Sequence, residues 1–203
     1  MVEGGPVRRT RLNAEQRRES ILKAATEVFT AVGYRAGKVS DVAAKVGVSE
    51  PVIFQNFGSK AALFAAVLDR VAGEVRAELR AFAGHHGSAV GLLAHVLSPS
   101  HIHSQHAPGS RGVLFADAVT LTAEPDLTEA ARRAVATLAD HLADVLRRGQ
   151  ADGDIRADLD PEPAAWLLLS VLSARPFRAA AMPDQERLES GVATLMLQAF
   201  VQR

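Results

Sequence analysis

At 203 residues, with 23 Lys/Arg balanced by 23 Asp/Glu, 5% aromatics and no cysteine, the chain suits one large or two small domains, and disulfides and thiolate chemistry are excluded. The longest nearly apolar run, 164–174, is far short of a membrane span, and the arginine-rich start lacks the apolar stretch of a signal peptide, so a cytoplasmic protein without a membrane partner is expected. Apolar residues recur at helical spacing and no long run alternates apolar with polar, which predicts an all-α fold.

Charge is unevenly placed. Residues 1–60 carry ten Lys/Arg against six Asp/Glu, a net of +4, and residues 61–203 a net of −4. That is the balance of a basic nucleic-acid-binding domain (1–60) joined to a larger helical domain that does not bind nucleic acid (61–203). Residues 1–12, with Gly4, Gly5, Pro6 and then Arg8, Arg9 and Arg11, read as a disordered basic arm, either reaching for DNA or simply solvated. The first helix begins at Asn13, which forms a capping-box pair with Gln16, with Leu12 placed to staple onto it. Its inward stripe is Ile21, Ala25, Val28, Phe29 and Val32, and Gly33 stops it. Arg17 and Arg18 are expected at backbone phosphates, and Tyr34 in the domain core.

Val39 to Lys60 reads as two short helices joined by a tight turn. The first spans Val39 to Lys45 with Val42, Ala43 and Val46 inward, and Gly47 makes the turn because it takes positive φ without strain. Ser49 is the expected N-cap of the second, Pro51 sits in its first turn, and the helix ends near Phe57 before Gly58. Small Ala43, Gly47 and buried Ile53 have the spacing of a helix-turn-helix, whose second helix enters the major groove. Glu50, Pro51, Val52, Gln55 and Asn56 then face the groove. Gln55 and Asn56 are suited to adenine edges and Val52 to a thymine methyl, while Ser49 is within reach of a phosphate.

A long helix from Ser59 to about Phe82 carries Leu63, Phe64, Val67, Val71, Val75 and Leu79 inward. Ser88 caps a short helix over 89–97, and SPSHIHSQHAPGS reads as a polar loop. A metal site at His101, His103 and His106 is weighed and set aside, because cysteine, clustered carboxylates and a helical His-x3-His spacing are all missing. No metal or cofactor is expected. A helix around Val113 to Leu121 is interrupted by Pro125, and Asp126 caps the next, Leu127 to Gln150. Asp160 and Pro161 open a further helix to about Arg178, and Asp184 to Val201 forms the last. Trp166, Leu167, Leu169, Val171 and Leu172 are apolar all round, so their helix needs a second copy of the chain to cover it.

The pieces ILKAATEVF, VGY, VSDVAAKVGVS and PVIFQNFGSKAALF, in that order and spacing over Ile21 to Phe64, resemble the N-terminal domain of the TetR family of bacterial transcriptional regulators. The resemblance implies that Lys60 holds a backbone phosphate. It also implies a homodimer formed by long helices, placed here on 127–150 and 161–178 with the final helix closing the domain. Two departures stand out. Gly37-Lys38 replaces the usual Thr-Thr, losing a hydroxyl cap but offering Lys38 to a phosphate, and Phe54 replaces the usual Tyr. The implied function is a DNA-binding regulator, a repressor released from a palindromic operator by a small molecule, and not an enzyme. Phe82, His95, His103, Phe115 and Trp166 are the expected effector contacts. The competing readings are an enzyme or carrier with a vestigial helix-turn-helix, and an architectural DNA binder. No catalytic spacing supports the former, and weak total basicity opposes the latter.

Overall fold

The computed structural model describes residues 13–86, 88–107, 109–121 and 124–202, and the side chains of all of these but 82–86. The expected basic arm and the Leu12 staple lie outside the described residues, as does the Phe82 side chain. The fold is all-α, and the described residues hold one isolated extended bridge, between Ile155 and Val201.

Four helices build the N-terminal part: α1 (Ala14–Ala36), α2 (Val39–Val46), α3 (Glu50–Phe57) and α4 (Lys60–His86). Asn13 and Gln16 form the capping box at the start of α1, as their spacing predicts. Gly33, at φ 76° and ψ 173°, breaks the helical path, and a last turn follows to Ala36. Gly47 closes α2 in the left-handed region at φ 77°. Gly37 has a packing reason instead: a Cβ there would lie 2.6 Å from the Phe29 ring. Its lost hydroxyl cap is real, since Lys38 makes no side-chain bond to α2.

The rest is α5 (Ala89–Val96), α6 (Pro99–Gln105), α7 (Gly112–Thr120), α8 (Pro125–Ala151), α9 (Pro161–Ser173), α10 (Arg175–Ala181) and α11 (Gln185–Phe200). Three expectations change. The segment read as a polar loop contains α6, because Ser98 accepts from the His101 amide, Pro99 sits in the first turn and Ile102 is buried. Pro125 starts α8 rather than merely interrupting, and Glu124, not Asp126, is its N-cap residue. The helix expected over 161–178 ends at Ser173, and a short turn of helix follows from Arg175, with Pro176 in its first turn.

Two cores form, with α8 as their shared beam. The first gathers Phe29, Tyr34, Val42, Ile53, Leu63 and Phe64 of the N-terminal helices with Leu114 and Ala118 of α7 and Leu127 to Ala134 of α8. Phe29 and Phe64 meet edge-on with ring centroids 5.2 Å apart. The second joins α5 and α9 with Leu142 and Leu146 of α8, Ile155 and Phe200. The apolar face of α8 is therefore buried within its own chain. Large exposed apolar side chains lie elsewhere: Trp166 (49% exposed) and Leu167 on α9, Phe177 (75%) on α10 and Leu195 (67%) on α11. No single helix among the described residues is long and apolar enough to cross a membrane.

Candidate functional site

The outer face of α3 is the first candidate surface. Ile53 and Phe57 anchor the helix in the core, which leaves Glu50, Pro51, Phe54 and Gln55 exposed and Val52 and Asn56 half-buried. Ser49 occupies the N-cap position but its side chain accepts no cap bond; the Val52 amide donates to the Ser49 carbonyl at 3.0 Å instead. With Pro51 in the first turn, one amide that would need a cap is missing. Glu50 stands where the helix dipole favours a negative charge. Gln55 is the exposed amide. Asn56 differs from expectation: its Nδ2 donates to the Val52 carbonyl at 2.7 Å, back onto its own helix.

Basic residues around α3 are also partly committed. Arg18 donates from Nη1 to the Asn56 carbonyl at 2.9 Å and lies 4.1 Å over the Phe57 ring, so it caps the C-terminus of α3. Lys38 is exposed. Lys60 turns inward: its ammonium is 4.5 Å from the Tyr34 ring centroid and donates to the Arg35 carbonyl at 3.4 Å. Burial pulls the Lys60 pKa down, and the Glu124 carboxylate opposes that pull.

Tyr34 joins this head to the rest of the chain. Its amide donates to Asp117 Oδ2 of α7 at 2.7 Å, and its hydroxyl donates to the Glu124 carboxylate at 2.9 and 3.1 Å. Burial, with the Glu124 bond, pushes the phenol up to about 12. Sequence placed Tyr34 in the core, where it is, but gave no sign of these partners. Salt bridges add to the join: Arg70 of α4 pairs with Glu19 of α1 and with Glu74, and Arg133 of α8 reaches Asp69 of α4 at 3.4 Å.

The second candidate site is a cavity of about 460 Å³ enclosed by α4 to α9, a size typical of small-molecule sites. From α8 and α9 it is lined by Val135, Leu138, Leu142, Leu169, Leu172 and Ser173. Apart from Ser173, its polar groups come from the other side: Glu78, His95, His101, Gln105, His106 and Arg111. Of the expected effector contacts, His95 and Phe115 line the cavity. His103 instead pairs through Nδ1 with Arg175 at 2.9 Å, and Trp166 is exposed on α9. Sequence reading missed Arg111 and Glu78, which form a bidentate pair at 2.8 and 2.7 Å across 33 residues of chain. The arginine holds the Glu78 carboxyl below its ordinary range. No group of three or more His, Cys, Asp or Glu among the described residues is placed to hold a metal ion.

Two histidines are expected to make folding pH-dependent. Burial, then the nearby His95, lowers the His101 pKa. Burial, then the charges of Arg80 and Arg148, lowers that of His141, which is 3% exposed with Nε2 lacking a hydrogen-bond partner. A base harder to protonate when folded contributes stability above its unfolded pKa of about 6.5 and loses it as pH falls through the folded value. Urea unfolding is expected to show a less stable protein at about pH 5 than at about pH 8, with His141→Leu reducing the difference. Equal stability at both pH values would contradict the burial of these rings.

Residues 21–67 match the family described as bacterial regulatory proteins, tetR family, and residues 117–195 match the tetracyclin repressor-like C-terminal domain. The chain is 46% identical over 67 residues, 33% of its length, to the HTH-type transcriptional activator FasR of Mycolicibacterium smegmatis. It is 34% identical over 58 residues, 29% of its length, to the HTH-type transcriptional repressor NicS of Pseudomonas putida. These matches span 31% and 27% of those relatives. The fold is similar to a transcriptional regulator from Saccharomonospora viridis in complex with choline, with TM-score 0.74 and 18% identity over 93% of this chain and 100% of that one. It is also similar to FadR from Bacillus subtilis in complex with stearoyl-CoA, with TM-score 0.68 and 19% identity over 89% and 98%.

Proposed function

The chain belongs to the TetR family of bacterial transcriptional regulators, and from that premise we propose that it is a cytoplasmic homodimeric repressor that leaves a two-fold-symmetric operator when a small molecule fills the α4–α9 cavity. The Tyr34 junction carries this reading. Phe115 and Ala116 line the cavity, and the next residue, Asp117, holds the Tyr34 amide at the end of the helix that supports α3. A displacement of α7 therefore acts on the reading head through this hydrogen bond as well as through the packing of Leu114 and Ala118. Effector release requires only that the ligand favour the head spacing that misfits DNA, and coupling of about 1–3 kcal/mol is typical. Two heads about 34 Å apart meet successive major grooves.

The dimer face was expected on 127–150 and 161–178; because the apolar face of α8 is buried within the chain, it is proposed on α9 and α11 instead, where Trp166, Leu167 and Leu195 are exposed. One of the two relatives activates and the other represses, so neither supplies the sign of regulation. The fold neighbours hold a cation in one case and an acyl thioester in the other, so the effector class must come from this cavity itself.

The primary test is titration with the intergenic DNA beside the gene, with random DNA as control. Selective binding at a palindrome, weakening steeply with salt, is expected; no preference over random DNA from a folded dimer would count against the operator. Gln55, the exposed amide of α3, is proposed as the base reader, with Lys38 and Ser49 toward phosphates and Lys60 reaching one by swinging out from its place over Tyr34. Gln55→Ala should relax preference at one base pair by about 1–3 kcal/mol, whereas Lys60→Ala should weaken all DNA alike. An equal loss on every sequence from Gln55→Ala would move the reading face elsewhere.

A further inference from the structure

Lys60 stands between two anions. One is the DNA phosphate it takes in the proposed function; the other is in its own chain. Its half-buried side chain lies over Tyr34, with Nζ 4.5 Å from the ring centroid. The hydroxyl of the same ring donates to the Glu124 carboxylate at 2.9 and 3.1 Å. Tyr34 thus carries an ammonium on its face and a carboxylate on its hydroxyl. Glu124 does not belong to the reading head. It is the N-cap residue of α8, just beyond α7, whose Phe115 and Ala116 line the cavity. The direct holds on Lys60 are weak. The 3.4 Å to the Arg35 carbonyl is long for an N–H···O bond, and a cation over a ring is held loosely where water reaches it. Burial disfavours the ammonium, and the Glu124 charge opposes that.

We propose that Glu124 is an intramolecular rival of the operator backbone, an autoinhibitory carboxylate that keeps Lys60 seated over Tyr34 until a phosphate draws it out. This rests on Lys60 being a phosphate contact. Tyr34 occupies the carboxylate, so Glu124 attracts the lysine through space without bonding to it. Such an attraction biases the seat, and a phosphate that the ammonium can touch overcomes it, because the energy falls with separation. Without the Glu124 charge the seat keeps its burial penalty and loses its countercharge, so the lysine leaves more readily. Phosphate contacts carry no base information, so the rivalry sets affinity for all DNA and leaves sequence preference alone. A ligand that shifts the joint between α7 and α8 moves Glu124 and changes the rivalry, which gives the cavity a second route to the reading head beside Asp117.

The test measures affinity of the full-length protein for the intergenic DNA and for random duplex DNA. Glu124→Gln keeps an acceptor for the Tyr34 hydroxyl and removes the charge. It should tighten both complexes by the same factor, roughly threefold to tenfold. In a Lys60→Met background that gain should disappear, as coupled residues require. Asp126→Asn, the same charge change nearby on the exposed start of α8, should tighten binding by less than about twofold. No gain from Glu124→Gln, a gain that persists in Lys60→Met, or an equal gain from Asp126→Asn would each overturn the proposal. Side-chain NMR of the wild type supplies a readout that needs no variant to fold, with Lys60→Met used only for assignment. Protons beside Lys60 Nζ should resonate upfield in the free protein, because they sit over the Tyr34 ring face, and should return to ordinary positions at saturating DNA. An unshifted signal in the free protein, or one still shifted on DNA, would overturn the seat. Operator-selective binding without the Glu124→Gln gain would sink the rivalry alone. Binding to random DNA without operator preference, with the gain present, would sink the operator and leave the rivalry standing. No binding to any DNA by the wild type or by Glu124→Gln would sink both.

Discussion

Replacing Glu189 by alanine is expected to cost about 3–5 kcal/mol of folding stability, the range for breaking one side of a buried ion pair. Arg178 is 8% exposed and Glu189 4%. The guanidinium donates from Nε and Nη2 to the two carboxylate oxygens at 3.0 Å each, and from Nη1 to the Val171 carbonyl at 2.7 Å. Three helices, α9, α10 and α11, are therefore tied at one point. Without the carboxylate, the arginine stays buried with a single carbonyl acceptor and no countercharge. The double replacement Arg178→Met with Glu189→Leu removes both charges and is expected to lie much closer to wild type, because desolvation and attraction leave together. Urea unfolding of the three proteins, with their dimerisation followed alongside, checks this. A Glu189→Ala loss under about 1 kcal/mol, the scale of a surface pair, would mean the site is wetter than its geometry.

Gly33→Ala is the second large effect, and it falls on the junction between reading head and cavity. At φ 76° and ψ 173° Gly33 occupies a region open essentially to glycine, so a side chain there costs about 1–3 kcal/mol from the backbone alone. The new Cβ would also lie 2.6 Å from Asp117 Oδ2, the oxygen that accepts from the Tyr34 amide. Losing a hydrogen bond to a charged group costs a further ~1.5–3 kcal/mol. The variant should be less stable and should bind operator with little response to effector. Asp117→Asn keeps the size of the side chain and removes only its charge, so it should weaken the coupling with a smaller loss of stability. Normal stability and a normal effector response in Gly33→Ala would remove the junction from the mechanism.

Much of the local architecture was legible residue by residue. Asn13 with Gln16, Gly47, Pro51 and Asp160 act on neighbours within one turn, and each stands in the structure where its chemistry placed it, Asp160 accepting from the Glu162 amide. The α6 helix was hidden because Ser98, Pro99 and Ser100 serve equally in turns and at helix starts, and burial of Ile102 decides between them. The outer face of α3 was legible as positions, since helical spacing fixes which side chains share a face. Whether each is available was not. Asn56 is bonded to its own helix, and Arg18 and Lys60 are drawn toward Phe57 and Tyr34.

The sequence by itself determined the all-α class and the helix-turn-helix with its family, because caps, glycines, prolines and apolar period are short-range signals. Only the tertiary structure decided which apolar face is left uncovered, which residues enclose the cavity and how the head is joined to it. Those depend on partners far apart in the chain, Arg18 and Asn56 at 38 residues and Tyr34 and Glu124 at 90. No local pattern encodes such a pairing, because it follows from how α1, α4, α7 and α8 pack together.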